Sequence, residues 1–253
     1  MFENKNILVV IPARGGSKGI PLKNLKEIGD RSLMEWALFT ALQSELPDRI
    51  IVSSDSDKII QRANSHGDFA PFVRPGELAQ DNSASLPVFQ HAHSWAEKAD
   101  DCIYDYLVAL EPTCPFRLSE HIHEGVSLAV KSNASSVMSL VEVGDHHPVR
   151  IKRLSQNGSV LPFCIPEPEG LRRQDQEPAF IRNCAVLVFS RETLIKNHLW
   201  GDAVFGFIMK SEYYSINIDE PLDLATAGYL YDQLNENGKL NMIDSTRKDH
   251  QTS

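Results

Sequence analysis

The sequence predicts a single α/β domain with a mostly parallel sheet. Apolar, β-branched runs of strand length alternate with segments of helical periodicity along most of the chain. Its 253 residues are enough for one such domain with a sizeable core, so one domain is assigned to 1–253. Between the first apolar run and the first helix lies a glycine-rich loop, where parallel sheets of this class place ligands.

The elements follow in order. Ile7-Leu8-Val9-Val10-Ile11 reads as a buried strand. Ser32 is placed to cap a helix with Leu33, Trp36, Ala37 and Thr40 on one face. Residues 49–53 form a second strand, and Asp55 is read as the cap of a helix to about residue 64. Asp81-Asn82-Ser83 precedes a helix carrying Val88, Phe89, Ala92 and Trp95. A buried strand over 105–110 stops at Pro112, and a helix over 118–131 leads to a strand over 136–141. The alternation then breaks: about 145–182 holds five prolines and only weak strand signals, near Ile151 and Val160, and reads as a protruding arm. A strand over 183–190, a short helix near Thr193, a strand over 204–209 and a helix from Pro221 to about residue 235 complete the domain. The tail from 239 to 253 is polar and expected to fray.

Composition narrows the function classes. A 42% hydrophobic and 23% charged chain is ordinary for a globular protein, and a net charge of -9 argues against a general nucleic-acid binder. No apolar run approaches the ~20 residues of a membrane span, and no signal-peptide pattern opens the chain, so no membrane role and a cytoplasmic location are expected. Cys102, Cys114, Cys164 and Cys184 lack metal-ligand spacing and read as reduced, mostly buried thiols.

The loop after the first strand carries the chemistry. It holds Gly15, Gly16 and Gly19 together with Arg14, Lys18 and Lys23. Glycines admit an anion close to backbone N–H groups, and cations neutralise it, so the loop suits a nucleoside triphosphate. Its spacing fits neither G-x-x-x-x-G-K-[ST] nor G-x-G-x-x-G.

Ile11-Pro12-Ala13-Arg14-x-x-Ser17-Lys18-Gly19-x-Pro21-x-Lys23-Asn24 resembles the signature loop of the CMP-N-acylneuraminate synthetases, cytidylyltransferases that activate sialic and other nonulosonic acids. The resemblance continues at Ser53-Ser54-Asp55, Arg74-Pro75-x-Glu77-Leu78-Ala79, Pro112-Thr113-x-Pro115-x-Arg117, His146-His147-Pro148 and Ser215-Ile216-Asn217-Ile218-Asp219, in order and over nearly the whole chain. It implies a Rossmann-like nucleotide-diphospho-sugar transferase fold with a dimerisation arm. It also implies CMP transfer from CTP to the anomeric hydroxyl of a nonulosonic acid, with pyrophosphate released.

By this resemblance Arg14, Lys23 and Asp219 are catalytic, and Gly15, Gly16, Ser17 and Lys18 join Arg14 and Lys23 in binding the triphosphate. Asn24, Arg74 and Ser85 would read the base, although Ser85 serves equally as a helix cap. Glu111, Arg173, Gln174 and Asn183 would contact the sugar; in a solvated turn Arg173 and Gln174 need no such role. Asp219 with Asn217 would bind Mg²⁺, Mn²⁺ being an alternative, while a capping role for Asp219 at the Pro221 helix competes.

Three departures from the family pattern stand out. Asn217 replaces the first Asp of Asp-x-Asp, Glu111 replaces the Gln of Gln-Pro-Thr, and Asn183-Cys184-Ala185-Val186-Leu187 replaces N-G-A-x-Y. They leave the sugar open between N-acetylneuraminate, a legionaminate-type sugar and another 3-deoxy-2-ulosonate, with a non-catalytic nucleotide-binding relative as the remaining alternative. Adjacent His146 and His147 point apart in extended chain, so a structural role at the arm's root is expected rather than a shared metal. Arg150 matches a cationic position that completes a partner's site, and a homodimer would cover Val149, Ile151, Leu161 and Phe163.

Overall fold

The structure, a computed structural model, describes residues 2–210 and 212–240. Strand β1 (Ile7–Pro12) enters the centre of the sheet; its Ile7 to Ile11 side chains are fully buried, each stabilising by up to about 1.5–3 kcal/mol. After the loop comes a two-stranded ribbon, β2 (Glu27–Ile28) and β3 (Arg31–Ser32), too short to leave a sequence signal.

Helix α1 (Leu33–Gln43) starts at Ser32, whose hydroxyl accepts from the Glu35 backbone while Glu35 accepts from the Ser32 backbone. β4 (Arg49–Ser53), α2 (Asp57–Asn64), α3 (Ser85–Asp100), β5 (Tyr106–Ala109), α4 (Ser119–Ser132) and β6 (Ser136–Glu142) follow. The excursion carries a hairpin of β7 (Lys152–Leu154) and β8 (Val160–Pro162). β9 (Phe180–Ser190), α5 (Arg191–Ile195), β10 (Val204–Ile208) and α6 (Pro221–Glu236) are the remaining strands and α-helices among the described residues.

The six-stranded sheet runs β10-β6-β9-β5-β1-β4 and is parallel except for β9, which is antiparallel to both neighbours. Side chains alternate across it. Ile7, Val9 and Ile11 pack under α1, α2 and α4, while Leu8 and Val10 pack under α3 and α5, giving helix, sheet and helix layers. A satellite cluster of Ile28, Leu33, Trp36, Phe116, Ile218 and Ala227 seats α6 on α1. No helix among the described residues is long and apolar enough to cross a membrane.

Several expectations need correction. Asp55 does not cap α2, whose N-cap is Ser56; its carboxylate instead accepts from the Gly15 N–H at 2.8 Å. In the arm, Val149 is buried at 6% exposure within the chain itself, whereas Ile151, Leu161 and Phe163 remain exposed. Of the cysteines only Cys114 is buried, and Cys164 is exposed. Leu240, placed in the fraying tail, is buried; 241–253 lie outside the described residues.

At the arm's root, His147 Nε2 lies 2.8 Å from the Glu177 carbonyl and its Nδ1 accepts from the Val149 N–H. That ties the segment leaving β6 to the segment that enters β9.

Candidate active site

From β1 the chain crosses to β4 on one side of the sheet, and from β4 it returns to β5 on the other. The loops after the neighbouring parallel strands β1 and β5 meet at the C-terminal edge of the sheet and line one crevice there, the place where such sheets bind ligands. A third segment, residues 216–219, runs beside both loops. Ile218 N–H donates to Thr113 O at 2.9 Å, and Lys23 Nζ donates to Ile218 O and Asp219 Oδ1, each at 2.8 Å.

Local backbone shape makes this possible. A Cβ at Gly19 would lie 2.5 Å from the Asp219 carbonyl oxygen, so only glycine allows that approach. Leu22 takes a left-handed φ of 52° before the Lys23–Leu25 turn, a strained step that delivers Lys23 and Asn24 to the crevice. Asn24 Nδ2 closes the loop by donating to Arg14 O at 2.9 Å.

The crevice holds two adjoining cavities. The larger, about 440 Å³, is lined by Arg14, Ser17, Lys18, Lys23 and Asn24 from the first loop, with Glu111, Cys184, Asn217 and Asp219 opposite. The smaller, about 200 Å³, is lined by Arg74, Ser85, Phe89 and Asp81. Pro12, Arg14 and Glu111 belong to both cavities and mark their junction.

Electrostatics differ between the walls. Arg14 Nη1 and Lys18 Nζ both pair with Asp81, at 2.9 and 3.0 Å. Arg74 is 4% exposed, bonds Ser53 through its Oγ and its carbonyl, and is pushed down to about 10 by burial, still cationic at neutral pH. Burial pushes the Glu111 carboxyl up to about 7, opposed by Arg117, Arg74 and Lys23 and reinforced by Asp219. Buried Arg117 donates to the Glu111 and Cys114 carbonyls and so fixes the turn after β5.

A bulge in β9 shapes the far wall. Met138 faces Leu187 but Leu140 faces Arg182, so two steps along β6 match five along β9. Within it Cys184 adopts φ 58° and lines the larger cavity. Asn183 turns inward: it accepts from Ser139 Oγ at 2.6 Å and donates to Tyr214 O at 2.9 Å.

The structure thus brings together Arg14, Ser17, Lys18, Lys23, Asn24, Arg74, Ser85, Glu111, Asn217 and Asp219. Gly15 and Gly16 share the loop, but the Gly15 N–H is taken by Asp55, while a Cβ at Gly16 would meet open space. Ser85 is the first residue of α3 and not its N-cap; its hydroxyl bonds no described residue. Asn183 is committed to the fold, and Arg173 and Gln174 sit exposed in the arm, with Arg173 paired to Asp145 at 3.1 Å, so these three are not brought to the cleft. Arg150 pairs with the same carboxylate at 3.4 Å. Asp55 and Asp81 escaped sequence reading because both were assigned to helix starts. For Asp55, its place two residues beyond the end of β4 was the available signal; Asp81, between a short turn and α3, left none.

The residues present fit a divalent ion only in part. Among the described residues no group of three or more His, Cys, Asp or Glu could hold one. Asp219 does not cap α6, which starts at Glu220 in a capping box with Asp223. Its two oxygens accept from Lys23 and, at 2.6 Å, from Asn217 Nδ2. A lone carboxylate suits Mg²⁺ that arrives with phosphate and water ligands.

The chain is 29% identical over 249 residues to post-translational flagellin modification protein B of Campylobacter coli, covering 92% of this chain and 98% of that protein. It is 31% identical to N-acylneuraminate cytidylyltransferase of Escherichia coli, with 87% of this chain matched but 51% of the relative, so it spans about half that enzyme's length. CMP-N,N'-diacetyllegionaminic acid synthase of Legionella pneumophila is 28% identical, covering 87% of this chain and 93% of the relative. In fold it is similar to a CMP:2-keto-3-deoxy-manno-octonic acid synthetase solved with CTP: TM-score 0.66 and 15% identity, over 90% of this chain and 99% of that one. Residues 8–159 match the family model described as Cytidylyltransferase, and the chain, a nucleotidyltransferase, belongs to that family.

Proposed function

We propose that the protein transfers CMP from CTP to the anomeric hydroxyl of a nonulosonic acid, N-acetylneuraminate or a related sugar, and releases pyrophosphate. The observation that carries this reading is the pair of joined cavities. One offers Arg14, Lys18 and Lys23 to a triphosphate; the other, smaller and bounded by Arg74, Ser85 and Phe89, suits a pyrimidine base. With the base in one and the β- and γ-phosphates in the other, the α-phosphate falls at the junction, beside Arg14.

Displacement at phosphorus needs positioning and charge neutralisation more than covalent catalysis. Arg14 and Lys23 supply that charge from opposite ends of the first loop. For both Arg14 and Lys18 to grip the nucleotide, Asp81 must release them. Asp219 would hold Mg²⁺ together with the phosphates, and Asn217 could join once its amide oxygen turned toward the ion. The metal would add charge neutralisation on the departing pyrophosphate.

A legionaminate-type sugar is the second reading, favoured by coverage of 93% of the Legionella synthase against 51% of the Escherichia coli enzyme. We further infer a homodimer in which a second copy covers Ile151, Leu161 and Phe163, and a cytoplasmic location, where CTP is made. Pyrophosphate release with CTP, UTP or ATP and a panel of nonulosonic acids tests the assignment. Release that requires CTP and one of these sugars is expected. Release with UTP or ATP at equal rates, or none with any nonulosonic acid, would overturn it.

A further inference from the structure

Three carboxylates line the two cavities: Asp81, Asp219 and Glu111. Asp81 is held by Arg14 and Lys18, and Asp219 by Lys23 and Asn217. No described residue donates a hydrogen bond to the Glu111 carboxylate. It is also the one acid present in both cavities, and Arg14 is the one cation that shares that position.

The nucleotide's α-phosphate and the attacking hydroxyl must meet at this junction if CMP transfer is the reaction, the reading on which the following inference rests. We propose that Glu111 is the catalytic proton acceptor for the attacking hydroxyl. As the acceptor oxygen bonds to the α-phosphorus, its proton passes to a Glu111 carboxylate oxygen. The bond from that phosphorus to the bridging oxygen breaks, and its electron pair leaves with pyrophosphate. Glu111 then returns the proton to water in the open cleft.

The setting favours this role over simple sugar binding. Arg117 reaches only the backbone carbonyl of Glu111 and Arg74 is tied to Ser53, so neither consumes the carboxylate, though both attract it. Arg14, on the opposite side of the junction, is placed to steady the phosphate being attacked. A carboxyl whose proton affinity lies near neutral is suited to accepting a proton at physiological pH.

Steady-state kinetics on the wild type, Glu111→Gln and Glu111→Asp, with CTP affinity measured by calorimetry without acceptor, test the proposal. Glutamine keeps the shape and a hydrogen-bond acceptor but cannot take a proton. Its kcat should fall about 100-fold or more, the usual scale of general-base catalysis, with both KM values and the CTP Kd within threefold. Glu111→Asp should recover part of that loss. Glu111→Gln turnover within threefold of the wild type would overturn the proposal, as would a CTP Kd rising in step with the loss of kcat. A wild type that transfers no CMP to any nonulosonic acid overturns the functional reading as well, so the two failures are told apart in one assay.

Discussion

Replacing Glu111 by glutamine should stabilise the ligand-free protein at alkaline pH. Burial raises this carboxyl from the usual 4.5 to about 7, and Arg117, Arg74 and Lys23 only partly compensate. Between those values the folded state holds a proton that the unfolded chain has released, so stability falls as pH rises through the window. At 1.36 kcal/mol per pH unit the full shift corresponds to about 3 kcal/mol, and water in the cleft reduces this to about 1–2 kcal/mol. Glutamine carries no charge to desolvate. Chemical denaturation of both proteins without nucleotide, at pH 5 and pH 8, measures the difference. The variant should gain about 1–2 kcal/mol over the wild type at pH 8 and far less at pH 5. A variant less stable at pH 8, or a difference independent of pH, would refute the picture of an only partly compensated carboxylate at the cavity junction.

Arg14→Ala and Lys23→Ala should each lose well over tenfold in turnover while remaining folded, since a lost transition-state contact of this kind costs about 2–4 kcal/mol; near-normal rates in either would show that the loop does not hold the triphosphate. Asp219→Asn should leave the melting temperature nearly unchanged, because its half-exposed pair with Lys23 contributes at most about 1 kcal/mol and Glu220, not Asp219, caps α6. The same sample should lose metal-dependent turnover, and a large drop in melting temperature instead would mark Asp219 as structural. Cys184→Gly should stabilise by up to about 1 kcal/mol: a left-handed side-chain residue costs about 1–2 kcal/mol, partly offset by glycine's freer unfolded chain. Calorimetry showing a loss would place a stabilising contact on the thiol.

The sheet strands and long helices were legible because burial on both faces leaves continuous apolar runs, as in Ile7 to Ile11, and because Ser32 and Pro221 are strong start signals. The first loop was legible through its glycines and cations. What sequence could not show was competition for side chains. Asp55 had two possible donors, the start of α2 or the loop after β1, and only tertiary proximity selects Gly15. Asn183 stood in a motif associated with sugar contact, yet the β9 bulge rotates it onto Ser139 and Tyr214 and brings Cys184 to the cavity instead. Glu111 was visible as a substitution, but that no described residue donates to its carboxylate is a property of the assembled crevice.

The most direct test follows the phosphorus atoms. CTP labelled at the α-position, and separately at the γ-position, is incubated with the protein, Mg²⁺ and a nonulosonic acid. The account predicts that the α-label enters a nucleotide sugar while the γ-label leaves as pyrophosphate. An α-label that stays in CTP, or a γ-label released as orthophosphate, would contradict it.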